Sequence, residues 1–167
     1  CTIRGGFNLS NPGYGGFQFF QSPNTGHMAT ITNCRFVNLN FAVSLVPNMS
    51  GSTYVTHNST DFIFENNTID SCYHGIAIAE LDSNNWVRIN HNTINTYSTG
   101  ILVQGTNMSG KLNASYNKIT SNFALADYIN SGSGSLTELV FENNMCKSYY
   151  YSEIASMKVK MINNSFD

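Results

Sequence analysis

The sequence predicts an all-β solenoid, in which short strands stack in successive coils along one axis. Three observations predict it: a scarcity of charge, an asparagine that recurs at a fixed phase, and apolar columns on both sides of that asparagine. Only 11% of the 167 residues are charged, about half of the usual globular share, which excludes a long solvent-facing helix or a coiled coil. The 41% hydrophobic content excludes a disordered chain.

The recurring asparagine defines a repeat. Six segments align on one position, which is cysteine in the first and asparagine in the other five: Cys34, Asn67, Asn92, Asn117, Asn144 and Asn164. We call this set the asparagine column. Apolar residues stand five and three positions before the column and two positions after it. Because alternate residues of a strand share one face, the pattern predicts a short strand on each side of a tight bend.

A third strand is predicted after each bend, in segments that begin near residues 41, 75, 100, 124 and, with a less regular pattern, 153. Its expected inward residues are Val43, Leu45, Ile76, Ile78, Ile101, Val103, Ala126 and Tyr128. Its expected outward residues are Ser44, Ala77, Leu102, Asp127 and Ala155. The outward residues are small or apolar at most levels, so we expect a neighbouring chain or the insertion at 46–60 to cover them.

Three strands in a repeat of about 25 residues cannot form hairpins, and like strands of successive repeats must stack in parallel about 4.8 Å apart. The sequence therefore predicts a parallel β-helix of about six to seven coils, with three short strands per coil. An inward amide is costly unless it is paired, so we expect the asparagines of the column to form a hydrogen-bonded ladder. Cys34 is expected to end that ladder as a small apolar group.

The chain is expected to be one β-helix domain over residues 1–167, and a fragment of a longer protein. Residues 1–28 are predicted to form an irregular first coil and 29–167 regular coils, with a loop insertion at 46–60. The four cysteines show neither a CxxC pair nor a metal-binding spacing. We expect them to lie singly in the core instead of forming disulfides.

The motif Asn-x-Ile followed by Gly-Ile-x-[Ile/Val/Leu], as in residues 67–78 and 92–103, resembles the repeats of the pectin-lyase-like superfamily. The resemblance covers residues 29–167 and implies a right-handed, single-stranded parallel β-helix, in agreement with the crossover rule. Members are mostly polysaccharide lyases, glycoside hydrolases, sugar epimerases, phage tailspikes and surface adhesins. The resemblance implies a substrate groove along the outer face of the third strand.

Few carboxylates lie where such a groove would run. Asp127 and Glu153 are predicted on adjacent coils about 5 Å apart, a separation that suits a retaining glycosidase. Glu80 and Asp82 just past an earlier third strand form a second candidate pair. The alternative is that these carboxylates are ordinary solvated surface, so whether the chain is an enzyme stays open. If it is one, hydrolysis is favoured over elimination, because the outer positions lack clustered Lys, Arg and Asp.

Aromatic residues total 21, and several are predicted at turns. Exposed aromatic faces stack on sugar rings, which makes these residues candidates for substrate binding: Tyr54, His57, Trp86, Tyr97, Tyr149 and Tyr151. The alternative is that they pack beneath loops or at a subunit interface.

Several partners are not expected. The net charge is −2 and no basic run is present, which disfavours a nucleic acid. No run of about 18 apolar residues exists, so no membrane insertion is expected. The four histidines fall in different columns, so neither a metal nor another cofactor is expected.

The leading functional hypothesis is a carbohydrate-engaging module of a phage tailspike, a tail fibre or another cell-surface-recognition protein. Such a module would be extracellular or on a virion surface, would bind or hydrolyse polysaccharide, and would assemble as a homotrimer. Two alternatives stay open. One is a secreted polysaccharide hydrolase or lyase, and the other is a non-catalytic structural or adhesin repeat.

Overall fold

A computed structural model of the chain describes residues 1–6, 15–20, 27–46, 49–50, 53–54, 60–79, 85–105, 110–129, 138–150 and 158–167. The strands are β1 (Thr2–Arg4), β2 (Phe17–Phe20), β3 (His27–Thr32), β4 (Arg35–Val37), β5 (Phe41–Val46), β6 (Met49–Ser50), β7 (Thr53–Tyr54), β8 (Thr60–Glu65), β9 (Thr68–Ala79), β10 (Trp86–Asn90), β11 (Thr93–Gly105), β12 (Lys111–Ser115), β13 (Lys118–Ser121), β14 (Phe123–Ile129), β15 (Glu138–Glu142), β16 (Met145–Ser148), β17 (Val159–Ile162) and β18 (Ser165–Phe166).

The strands form two large parallel sheets. The first sheet has the order β17-β15-β12-β10-β8-β3, and the second has the path β1-β4-β9-β11-β13-β16-β18, to which β2, β5 and β14 add. Partners lie one repeat apart, as Val87 does from Phe62 and from Leu112. Among the described strands, only the short pair β6 and β7 is antiparallel. This pairing confirms the predicted parallel β-helix.

The core is a stack of apolar columns between the two sheets. Phe62, Val87 and Leu112, which stand five positions before the asparagine column, are buried in consecutive coils. Ile69 and Ile94, two positions after it, are buried in the second sheet. Burial of each such side chain stabilises the fold by about 1.5–3 kcal/mol. A single coil cannot bury these side chains, because each of them packs against its equivalents in the coils above and below.

The bend between the two sheets depends on one residue with a positive φ in each repeat. These residues have φ between 50° and 56°: Asn33, Asn66, His91, Tyr116, Asn143 and Asn163. Asparagine tolerates this left-handed conformation better than most residues. His91 and Tyr116 adopt it as well, and their rings stack with centroids 5.0 Å apart.

The asparagine column carries a repeated set of hydrogen bonds. Asn117 Oδ1 accepts from the backbone N–H of Asn92 at 2.9 Å and from its Nδ2 at 3.0 Å. Asn117 Nδ2 donates to the carbonyl oxygen of Ile89 at 2.7 Å and to Asn144 Oδ1 at 3.0 Å. The backbone N–H groups of Cys34, Asn67, Asn117 and Asn144 likewise donate, at 2.9 Å, to the next side chain of the column. These bonds satisfy the buried amides and tie each bend to the next coil.

The expectation that all cysteines lie singly is wrong for Cys1 and Cys34, which form a disulfide. Thr2 pairs with Arg35 across β1 and β4, so Cys1 stands beside Cys34 in the same column. Their Cα atoms are 4.6 Å apart, because the spacing between parallel coils falls in the range that a disulfide spans. Cys34 therefore does not end the column as an apolar cap. Cys72 and Cys146 are buried and free, as expected.

The segments predicted as the third strand are β5, the later parts of β9 and β11, and β14, so β9 and β11 each run unbroken through two predicted strands. The expected register of these segments is correct for three repeats and wrong by one residue in the fourth. Ile76 pairs with Val43 and with Ile101 as predicted. Ile101 then pairs with Leu125, Leu102 with Ala126, and Val103 with Asp127. The chain turns the corner before β14 with one residue fewer than in the other repeats. Asp127 is therefore in register with Val103, and Ala126 with Leu102.

Gly75 lies in β9, at the corner before the segment predicted as the third strand, and its backbone is close to the next coil. A Cβ at this position would meet the carbonyl oxygen of Gly100 and approach Ile94 Cγ2 to 3.2 Å. We expect Gly75→Ala to lower the free energy of unfolding by about 1–3 kcal/mol, the range of overpacking, in urea titrations followed by circular dichroism. Gly6→Ala is the matched control, because its Cβ would have nothing within 4 Å. Equal stabilities of the two variants would contradict the prediction.

Candidate functional site

The outer surface of the third strand is an aromatic and apolar face. Phe41, His74, Thr99 and Phe123 follow one another in one column. Ser44, Ala77, Leu102 and Ala126 form the column beside it. Ala77 and Leu102 are only 5% and 6% exposed because the rings of Phe41 and Phe123 pack on them. Part of the cover expected from another chain or from the insertion thus comes from these two rings.

Two stacked ring pairs lie on this surface. Phe41 and His74 stack with centroids 4.8 Å apart, and Phe123 and Tyr150 stack at 5.4 Å. Tyr73 meets the ring of His74 edge-on at 4.6 Å. The stacking follows from the fold, since the coil spacing places equivalent side chains of neighbouring coils at ring-stacking distance. We call the surface formed by Phe41, His74, Ala77, Leu102, Phe123 and Tyr150 the aromatic face.

His74 takes part in this face as an uncharged ring. Burial lowers its pKa to about 4, because the apolar surroundings disfavour the imidazolium form. Its Nδ1 is buried and has no hydrogen-bond partner among the described residues. At neutral pH His74 therefore contributes a neutral aromatic surface rather than a positive charge.

The predicted aromatic candidates separate into three groups. Tyr97 and Tyr149 are exposed; Tyr97 lies in β11 before Thr99, and Tyr149 directly precedes Tyr150 of the aromatic face. Trp86 is exposed on the outer surface of the first sheet. Tyr54 ends β7, with a side chain outside the described part, and His57 and Tyr151 lie outside the described residues.

Sequence reasoning missed three rings of the aromatic face: Phe41, His74 and Phe123. The sequence nevertheless contained a signal for them. Phe41, His74 and Phe123 each stand two positions before the first inward residue of a third strand. Thr99 interrupts the series at the equivalent position, so the column carries no continuous aromatic pattern.

The candidate carboxylates are not brought together by the described residues. Asp127 lies in β14 opposite Val103, and its side chain is outside the described part. Glu80, Asp82 and Glu153 lie outside the described residues, so their catalytic roles stay predictions. Within the described ranges, no group of three or more His, Cys, Asp or Glu residues could hold a metal ion.

The described carboxylates with a side-chain partner serve as structural contacts elsewhere. Asp70 accepts a hydrogen bond from Arg35 at 2.9 Å, and this contact holds the pKa of Asp70 below its usual value. Glu65 accepts from Asn90 at 3.1 Å, and Glu142 accepts from Ser115 at 3.4 Å. These pairs link neighbouring coils on the outer surface and lie away from the aromatic face.

Comparison with known proteins gives one match. A family model described as the right handed beta helix region matches residues 1–146. No curated protein and no solved structure matches the chain. In the part of the chain that the structure describes, no helix has the length and apolar character needed to cross a membrane.

Proposed function

Because the chain belongs to the right-handed β-helix family, we propose that it is the carbohydrate-engaging module of a cell-surface-recognition protein, of the phage tailspike or tail-fibre type. The proposal rests on one observation, the two stacked ring pairs Phe41–His74 and Phe123–Tyr150 on the outer face of the third strand. Aromatic faces bury the apolar side of a pyranose ring, and neighbouring polar groups fix its orientation.

The two ring pairs suit a linear polymer rather than a single sugar. Phe41 and His74 belong to neighbouring coils, and Phe123 and Tyr150 to coils further along the axis. Ala77 and Leu102 lie between the pairs, beneath the rings of Phe41 and Phe123. A glycan bound along the solenoid axis would thus meet aromatic rings at both ends, and its contact area would grow with each coil that it crosses.

Tyr150 gives the sharpest test, because it is 57% exposed and its ring lies on Phe123. We expect Tyr150→Ala to weaken the binding of a recognised polysaccharide about tenfold, the loss of one ring contact. A glycan array would identify the polysaccharide, and titration calorimetry would measure the affinities.

Tyr116→Ala is the matched control. Tyr116 is 55% exposed and stacked on His91 at the bend between the two sheets, away from the aromatic face. The variant should bind as the unaltered chain does. Equal losses in both variants, or no glycan bound by the unaltered chain, would refute the proposal.

An extracellular or virion-surface location belongs to the proposal. The Cys1–Cys34 disulfide supports it, because disulfides persist in oxidising compartments. The homotrimer comes from the resemblance to tailspikes. Sedimentation equilibrium tests it directly, and a monomer across the accessible concentration range would remove it.

A further inference from the structure

A groove lies on the outer surface of the first sheet, whereas the aromatic face lies on the second sheet. It has a volume of about 270 Å³ and crosses three neighbouring strands, β10, β12 and β15. Its lining consists of Trp86, Lys111, Leu112, Asn113, Glu138 and Val140. We call it the Trp86 groove.

Trp86 offers a flat apolar surface in this groove. It is 44% exposed, and its backbone N–H is fixed by a 2.9 Å hydrogen bond to Asp61. The guanidinium of Arg88 lies 4.8 Å from the centroid of the indole ring. This cation–π contact holds a positive charge beside the ring, while the remaining indole surface stays open to a ligand.

The two outward columns that line the groove carry a positive sum in a chain whose net charge is −2. Four of the eight Lys and Arg residues of the chain lie on these two columns: Arg88, Lys111, Lys158 and Lys160. Asp61 and Glu138 are the acidic residues of the same two columns, so these six side chains sum to +2, while the third outward column of the sheet carries Glu65 and Glu142. Low-dielectric walls around a groove concentrate such a field.

The cations differ in how far they are neutralised. Lys160 forms a 2.6 Å ion pair with Glu138, and this hydrogen bond together with the charges of Lys160, Lys158 and Lys111 lowers the pKa of Glu138. Lys111, in the lining itself, forms no ion pair with any described residue. Arg88 Nε is buried and has no hydrogen-bond partner among the described residues.

We infer that the Trp86 groove is a second binding site, which takes a sugar residue bearing an anionic group. The ring of that residue stacks on Trp86, and Lys111 binds the anionic group with a charge-assisted hydrogen bond. Asn113 and the ion-paired Glu138 lie in the lining to accept hydrogen bonds from hydroxyl groups. A carboxylate and a sulfate would be recognised by the same chemistry.

Fluorescence tests the inference directly, because Trp86 is the only tryptophan in the chain. The probes are a galacturonate oligosaccharide, a sulfated galactose oligosaccharide, its unsulfated form and inorganic sulfate. We expect at least one of the anionic oligosaccharides to shift the emission, with an affinity that falls as salt rises. The neutral oligosaccharide and sulfate alone should bind about tenfold more weakly or worse.

Two lysine variants locate the charge. Lys111→Ala should weaken the binding of the anionic oligosaccharide about tenfold. Lys118→Ala removes an exposed lysine of the second sheet and should leave this affinity unchanged. Tyr150→Ala should leave the fluorescence titration unchanged, which separates this site from the aromatic face. The inference is overturned if no probe alters Trp86 emission, if the neutral oligosaccharide binds equally well, or if both lysine variants behave alike.

Discussion

Asn117→Ala is expected to lower the free energy of unfolding by about 3–5 kcal/mol. The substitution removes the acceptor of the Asn92 backbone N–H and the donor to the carbonyl oxygen of Ile89. Both groups are buried, and each buried polar group without a partner costs about 1–3 kcal/mol. The side-chain bonds to Asn92 and Asn144 are lost as well. Urea titration at neutral pH, followed by circular dichroism, measures the change.

Asn95→Ala provides the comparison for this measurement. Asn95 is exposed, and its side chain makes a 3.4 Å contact with Asp70. Its replacement should change the free energy of unfolding by no more than about 0.5 kcal/mol. If Asn117→Ala cost no more than Asn95→Ala, the inward amides would contribute little to stability, and the reason for their recurrence would have to be sought elsewhere.

The periodic part of the fold could be predicted because burial acts on every coil in the same way. Phe62, Val87 and Leu112 must all be apolar since each packs on the next, and the amide of Asn92 must meet that of Asn117. The corner before the third strand is different, because its length can change without loss of the columns. Because the corner before Leu125 is one residue shorter, Asp127 comes into register with Val103, and the apolar pattern did not predict that shift.

The candidate sites depend on side chains that the topology brings together from separate repeats. Phe123 and Tyr150 stack although 26 other residues lie between them in sequence, and Thr99 breaks the column that contains Phe41 and Phe123. Exposed positions need not repeat, because solvent tolerates any side chain there. Composition could therefore indicate that aromatic residues were available for binding, but the strand register was needed to show which of them share a face.

The Cys1–Cys34 disulfide had a sequence signal of its own. Cys1 precedes Cys34 by 33 residues, and the same spacing separates Cys34 from Asn67. Cys1 also opens the tripeptide Cys-Thr-Ile, which matches the Asn-Thr-Ile at Asn67 and Asn92. Cys1 and Cys34 are thus linked by a covalent bond, whereas the asparagines of the column are linked by their side-chain amides.

Replacement of both Cys1 and Cys34 by serine is expected to lower the free energy of unfolding by about 3–4 kcal/mol, the value for a cross-link that closes a loop of this length. The disulfide restricts the unfolded chain and holds β1 against β4 in the folded one. Urea titrations of the unaltered chain with and without dithiothreitol should show the same loss, and the double variant should not respond to the reductant.

The buried thiols make this experiment specific to the disulfide. Burial raises the pKa of Cys72 to about 11 and that of Cys146 to about 12, so neither forms the reactive thiolate at neutral pH. A thiol reagent should therefore label the folded, oxidised chain slowly. After reduction, Cys1 and Cys34 should react first, since Cys1 is exposed and Cys34 half-buried. Rapid labelling of Cys1 before any reduction would mean that β1 is held against β4 by hydrogen bonds alone.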